Sequence, residues 1–424
     1  MKILFAFENP LPSSEADAEV FMTTAKYLSP LTEASWLHVP TAGNESCAST
    51  SEAIKMPVVR ALAPTQPAAF RHLCCGLTLV FRRKFRQADL VYTRNLWIAW
   101  MSVLFGQRVV YDHYRPWPDQ IPPLQFTIYR LFCNPLFLLH ICHSQYTCSV
   151  YESLGVPKDK LYCVHNGFEP RRLQLALNVE TAKQRISVDP QTKTVVYTGR
   201  INHKKGLELV IEAAKRLPEL QFILVGSRGE GVIEKLAATI PNLRIVGWQP
   251  AERLGDYIYA ADVLLIPPST QPLATFGTTV LPLKLFLYLA SGRPIVAGDT
   301  VDVREVLRHN ENAYLCAPDQ LHELVSGINA VINDTALGER LGVAAKADSG
   351  NFTWNERARK IAEIVEARLR TPSVESGHWS SAHSGRWRRQ SLRWLNHLFR
   401  TRSWILPPEA QVHQSCGRSA DAAR

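Results

Sequence analysis

Residues 197–206 read Tyr197-Thr198-Gly199-Arg200-Ile201-Asn202-His203-Lys204-Lys205-Gly206. The apolar run Thr194–Tyr197 precedes them, and the helical pattern Leu207–Leu217 follows. The stretch is therefore a strand-to-helix turn. Gly199 and Gly206 permit tight backbone, Arg200 and Lys205 supply cations, and the helix start near Gly206 offers N–H groups. Together these suit a diphosphate. A solvated basic loop is the other reading of the same residues.

Working outward, the alternation continues on both sides. Strands are expected at Gln221–Val225, Arg244–Val246, Val263–Ile266, Ile295–Ala297 and Ala313–Leu315. Helices are expected at Ala251–Ala260, Pro282–Ala290 and Val301–His309, then near 319–333, 336–346 and 354–370. In the first half, strands fall at Lys2–Phe7, Asp89–Thr93, Arg108–Tyr111 and Leu161–Val164, and a helix capped by Ser14 runs to about Leu28. This pattern predicts an α/β protein of two tandem doubly wound domains, 1–169 and 193–352. Residues 170–192, polar and without periodicity, read as a linker, 353–370 as a closing helix and 371–424 as a separate tail.

Ligands of open α/β sheets bind outside the carboxyl ends of the strands. Beyond the Gly199 turn, those ends carry Gly226-Ser227, where a nucleotide can approach backbone, and Gly247-Trp248, where the indole either stacks on a base or packs on the next helix. Gly277, Thr278 and Thr279 present N–H groups ahead of Pro282, with Lys284 in the first helical turn, as a phosphate ligand or simply exposed. In the first half, Arg94 follows one strand, and Asp112 and His113 follow another. Arg94 reads as a contact for an anionic acceptor. His140, Cys142, His143 and Cys148 match no zinc spacing and read as packing.

Composition narrows the class. Of 424 residues, 46% are hydrophobic and 20% charged, which excludes collagen, coiled coil and a fully disordered chain. The net charge of +10 favours anionic partners. No apolar run reaches the roughly 18 residues of a membrane span, and the run at Met1–Phe7 is too short for a signal peptide. Nine scattered cysteines without a CxxC pair point to a reducing cytoplasm. Half of the charge surplus lies in the tail, which holds eight Arg against three acids and four of the ten Trp. On a helical wheel, residues 386–406 set Trp387, Trp394, Leu395, Leu398 and Phe399 broadly opposite Arg386, Arg389, Arg393 and Arg400. That is the pattern of a helix in a membrane interface, or of a basic tail or an apolar strip packed on the protein itself. The apolar, basic stretch Phe70–Lys84 points the same way. No nucleic-acid motif accompanies the charge.

The order of motifs resembles glycosyltransferase family 4. The resemblance rests on Gly199-Arg200 with Lys205-Gly206, Val225-Gly226, the Gly247 loop, Pro268-Ser269 and Leu289-Ala290-Ser291-Gly292-Arg293-Pro294. Weaker matches are Asp112-His113, Ser144, Gly155-Val156-Pro157, His165-Asn166-Gly167 and Asn351-Phe352-Thr353-Trp354-Asn355. It covers about residues 1–370 and implies the GT-B architecture, two Rossmann-like domains facing a cleft. It further implies retaining transfer of a sugar from a nucleotide-diphosphate donor to a glycan or lipid-linked acceptor, with no cofactor and no metal. Arg200 and Lys205 would then stabilise the leaving diphosphate, Lys284 would add a third charge, and His113 would face the reacting groups. Alternatively, His113 is a buried ring bonded to Asp112 or backbone. The chain departs from the family in lacking its glycine-rich loop after the first strand, where Asn9–Ser14 stands. The two family glutamates fall at Thr279 and Leu287. That departure favours the alternative of a non-catalytic GT-B subunit that binds a partner or glycan; an epimerase shares the architecture but needs acid/base carboxylates, and the sequence offers no convincing pair.

Overall fold

The computed structural model describes residues 1–370 except 12, 14, 15, 41–49, 53, 65, 174, 175, 230 and 271–280. Ser14, Gly277, Thr278, Thr279 and the 386–406 stretch lie outside the described residues.

Two parallel sheets organise the chain. The first comprises β1 (Lys2–Ala6), β2 (Ala34–Val39), β3 (Val58–Arg60), β4 (Leu90–Thr93), β5 (Val109–His113), β6 (Phe137–Cys142) and β7 (Leu161–Cys163), ordered β3-β2-β1-β4-β5-β6-β7. The second comprises β8 (Thr194–Thr198), β9 (Gln221–Ser227), β10 (Leu243–Gly247), β11 (Val263–Ile266), β12 (Ile295–Gly298) and β13 (Tyr314–Cys316), ordered β10-β9-β8-β11-β12-β13. Chain order reverses between β1 and β4 and between β8 and β11. Those two switch points are where a doubly wound sheet opens a crevice for ligand.

The expected strands are present with ends moved by a residue or two. Three further strands, β2, β3 and β6, escaped the sequence reading. All six residues of β6 are buried, so its apolar run lacks the alternation of a half-exposed strand. β3 has only three residues at a sheet edge.

Two expectations are corrected. Residues 170–192 contain the helix Val179–Arg185, capped by Asn178, whose side chain accepts the Thr181 N–H at 2.8 Å. Ala182 and Ile186 enter the core of the second domain, and Lys183 pairs with Asp262 at 2.8 Å, so the segment is part of that domain. Of the helix expected at Val301–His309, only a 3-10 turn at Val303–Glu305 forms. Beyond that turn the backbone makes other contacts: the Arg308 N–H donates to Asn312 Oδ1 at 2.7 Å, and His309 forms a bridge with Ala313.

The last helix, Trp354–Arg370, returns to the first domain. Ala358, Ile361, Ala362 and Val365 recur at helical spacing and join the core around Phe5, Phe21 and Tyr92. A bridge between Phe168 and Thr353 marks the crossing. Glu305 of the second domain fastens the two halves. It accepts the Gln145 and Tyr146 backbone N–H groups at 2.7 and 3.1 Å and meets His165 at 3.0 Å.

Candidate functional site

A cavity of about 230 Å³ lies between the domains at the β8 switch point. Its floor is made by strand ends: Thr198, Gly199 and Arg200 after β8, Val225, Gly226 and Arg228 at β9, and Trp248 and Gln249 after β10. The helix Leu283–Ser291 contributes Lys284 and Leu287, and the first domain contributes Glu19, Gly167 and Phe168.

Backbone contact shapes the floor. Gly226 has φ +122°, and a Cβ there would stand 2.4 Å from the Gly199 carbonyl oxygen. The Gly199 N–H donates to the Val225 carbonyl at 2.8 Å, which locks the two strand ends together. Gly206, with φ +66°, begins the helix Leu207–Arg216, and a Cβ there would meet the Ser269 Cβ at 2.1 Å. Gly226→Ala is expected to lower stability by about 1–3 kcal/mol, through strain at a positive φ and displacement of the Gly199 turn. Urea denaturation measures this; a variant as stable as the native chain counts against the close approach.

Electrostatics single out Lys284. Its ammonium sits 3.5 Å from the centroid of the Tyr197 ring, whose hydroxyl donates to the Arg200 carbonyl at 3.0 Å. Burial pushes the Lys284 ammonium well below the usual lysine range, and the charge of Lys205 pushes it further. Burial lowers Lys205 likewise, aided by Arg200. Lys205 thus disfavours the charge of Lys284, and Arg200 that of Lys205, at one end of the cleft. A bound anion reverses that penalty.

Of the residues expected at a donor site, Gly199, Arg200, Gly226, Trp248 and Lys284 line the cavity. Trp248 is 60% exposed and lies beside Gln249 on the rim. Lys205 is not among the lining residues, but it is near enough to act on the Lys284 charge. Gly247 ends β10 at the surface. The Ser227 hydroxyl is spent on the next helix start, donating to Glu234 Oε1 at 2.7 Å. Leu287 lines the wall, 5% exposed, with no hydrogen-bonding atom where the family carries a carboxylate. The sequence reading missed Arg228, Glu19 and Trp354. Arg228 follows Gly226-Ser227 directly and is legible as a strand-end cation; the other two come from helices 16–28 and 354–370, which only the fold brings to the cleft.

His113 and Arg94 line a second cavity, of about 420 Å³, at the β1–β4 switch point of the first domain. His113 Nδ1 accepts the Arg115 backbone N–H at 2.9 Å. The neutral ring therefore carries its proton on Nε2 and acts there as a donor. Burial, Arg94 and Arg115 hold it well below its usual range.

Asp112 does not face an acceptor, and its expected place is corrected. Its carboxylate is fully buried and meets the Arg357 guanidinium at 2.8 and 2.9 Å, His143 Nε2 at 2.6 Å and the Tyr92 hydroxyl at 2.5 Å. The His143 expected as packing belongs to this network: its Nδ1 accepts from Asn166 at 3.1 Å. Among the described residues, Cys163, His165 and Glu305 bring possible metal-ligand atoms within 4.8 Å of one another. None of the three lines the cleft, and both Glu305 oxygens already accept backbone N–H groups.

Residues 192–334 match the family described as Glycosyl transferases group 1. The match falls on the second domain, which holds the Gly199–Gly206 turn. It is 25% identical over 305 residues to the amylovoran biosynthesis glycosyltransferase of Erwinia amylovora, covering 69% of this chain and 68% of that one. An uncharacterized glycosyltransferase of Methanocaldococcus jannaschii is 23% identical over 230 residues, with 52% of this chain and 56% of that one covered. The chain thus spans about half the length of the archaeal relative. The crystal structure of Anabaena HepE in complex with UDP superposes with a TM-score of 0.71 at 19% identity, covering 87% of this chain and 100% of that one. The two-domain fold is GT-B, as in that structure.

Proposed function

We propose that the protein is an enzyme that moves a sugar from a nucleotide-diphosphate donor to a glycan or lipid-linked acceptor, with retention of configuration. The observation that carries this reading is the Lys284 ammonium, held against Tyr197 at the cleft and disfavoured by burial and Lys205 until an anion arrives. HepE structures hold UDP and UDP-glucose, so uridine diphosphate is the first ligand to test.

As the glycosidic bond breaks, negative charge grows on the leaving diphosphate. Arg200, Lys205 and Lys284 stabilise that charge in place, which is electrostatic catalysis without a metal as an obligate partner. Trp248 stacks on the base at the rim. His113, protonated on Nε2, donates a hydrogen bond to a sugar or acceptor hydroxyl rather than taking a proton. Transfer takes place at a cytoplasmic, peripheral membrane site. The binding-subunit alternative rests on Leu287 alone among the described residues, and loss of one ribose contact weakens donor binding without removing the phosphate cations.

Nucleoside diphosphates are expected to raise the melting temperature through linkage, one base more than the others. No shift with any of them overturns the reading. Binding is also expected to take up protons. The free-site pKa values of Lys284 and Lys205 are lowered, and a diphosphate raises them. Affinity is therefore full below the free-site values and falls as pH rises through the bound-site values. Calorimetry in buffers of differing ionisation enthalpy measures the uptake; an enthalpy independent of buffer contradicts it.

A further inference from the structure

The strand β7 ends at Cys163, and the Val164 N–H still donates to the Cys142 carbonyl at 2.9 Å. Residues two apart on extended backbone share a face. Val164 enters the core around Phe5 and Tyr92, which turns Cys163 and His165 the other way. There they meet Glu305, which the 3-10 turn Val303–Glu305 brings from the second domain. The Cys163 sulfur lies 3.7 Å from His165 Nε2, and His165 Nε2 lies 3.0 Å from Glu305 Oε2. One atom from each of the three lies within 4.8 Å of the other two.

These separations bracket what a tetrahedral ion needs. Zinc bonds of about 2.3 Å to sulfur and about 2.0–2.2 Å to nitrogen or oxygen place neighbouring ligand atoms roughly 3.4–3.6 Å apart. An ion there takes the place of the proton between His165 and Glu305. Thiolate and imidazole ligands select zinc over magnesium or calcium. One thiolate and one carboxylate balance its divalent charge.

The surroundings hold the ligands in position. The Gln145 and Tyr146 N–H groups orient the Glu305 carboxylate, and each of its oxygens keeps a second lone pair. Arg357 donates to the His165 carbonyl at 3.1 Å, and the Phe352 ring stands edge-on to the imidazole at 5.8 Å. The Cys148 thiol hydrogen-bonds to Cys163 and to Cys142. Such outer contacts set the orientation of ligands in metal sites. The His165 and Glu305 side chains are 19% and 11% exposed, so an ion can enter the folded chain.

We propose that Cys163, His165 and Glu305 bind one zinc ion at the seam between the two domains, with the fourth position left to water. Two ligands belong to the first domain and one to the second, so the loaded site ties the halves together. None of the three lines the donor cleft, so the ion holds the domains and takes no part in breaking the glycosidic bond. The site is independent of the sugar-transfer reading. Spacing alone does not show it, because Glu305 lies 140 residues beyond His165.

The test uses the full chain, stripped with a chelator and then titrated with cobalt(II) or zinc(II). Cobalt is expected to bind with one equivalent per chain and to give a thiolate charge-transfer band in the near ultraviolet, which added zinc removes. Cys163→Ser is expected to abolish the band, whereas Cys74→Ser, on the helix Ala68–Val80, keeps it. His165→Ala is expected to weaken zinc binding at least about tenfold. Zinc is also expected to raise the melting temperature of the native chain, and to raise that of His165→Ala less. X-ray absorption of the zinc-loaded native chain needs no variant, and is expected to show one sulfur among nitrogen and oxygen neighbours. Absence of the band, a zinc shell without sulfur, or binding undiminished in folded His165→Ala overturns the site. A shell with two or more sulfurs overturns it too, and assigns the ion to the neighbouring thiols of Cys142 and Cys148. Loss of the nucleotide shift in the native chain would instead sink the donor reading and leave the zinc result standing.

Discussion

Arg200→Ala and Lys205→Ala are each expected to lower the proposed sugar transfer about a hundredfold, with the fold intact. The diphosphate leaves with growing negative charge, and a charge-assisted contact made in the transition state contributes about 3 kcal/mol. The two positions act differently. Arg200 lines the cleft, so its loss removes a direct contact. Lys205 is not on the wall and disfavours the Lys284 ammonium. Lys205→Ala therefore weakens the field on the diphosphate but relieves Lys284, and its proton uptake on nucleotide binding falls. Steady-state rates with a cleaved donor, together with circular dichroism, separate chemistry from folding. Near-native turnover in both variants sinks the diphosphate assignment.

Arg357→Met is expected to cost about 3–5 kcal/mol of stability, because it leaves a buried carboxylate without its cation. Burial alone would raise the Asp112 carboxyl. Arg357 and His143 outweigh it and hold the group well below its usual range. The sign follows: a lowered folded pKa contributes stability that is full above the unfolded value, near pH 4, and is lost as pH falls toward the folded value. Arg357 also donates to the His165 carbonyl at 3.1 Å, so the last helix loses its fastening to the first domain. The double variant Asp112→Leu with Arg357→Met is expected to recover part of the loss, since no charge then stays buried. Urea denaturation decides. A single variant within about 1 kcal/mol of native stability contradicts a structural role for the pair.

Local chemistry alone set much of this molecule. The turn Gly199–Gly206 joins a β-run to an amphipathic helix, and glycine at both ends with two cations between identifies it without any distant partner. Strand-end glycines at 226 and 247 are legible for the same reason, since a doubly wound sheet places its crevice at those ends. Three things depended on tertiary structure. β6 has no alternation, because a central strand buried on both faces has no solvent side to mark. The sequence Asp112-His113 looks like one functional pair, yet neighbouring residues of a strand point to opposite faces. One side chain enters the Arg357 network and the other the cavity beside Arg94. Finally, the stretch Phe70–Lys84 is legible as apolar and basic, but periodicity reports that a helix has an apolar side and not what covers it. Only the packing of helices 68–80 and 96–104 at Gly76 shows which residues lie inside and which stay exposed.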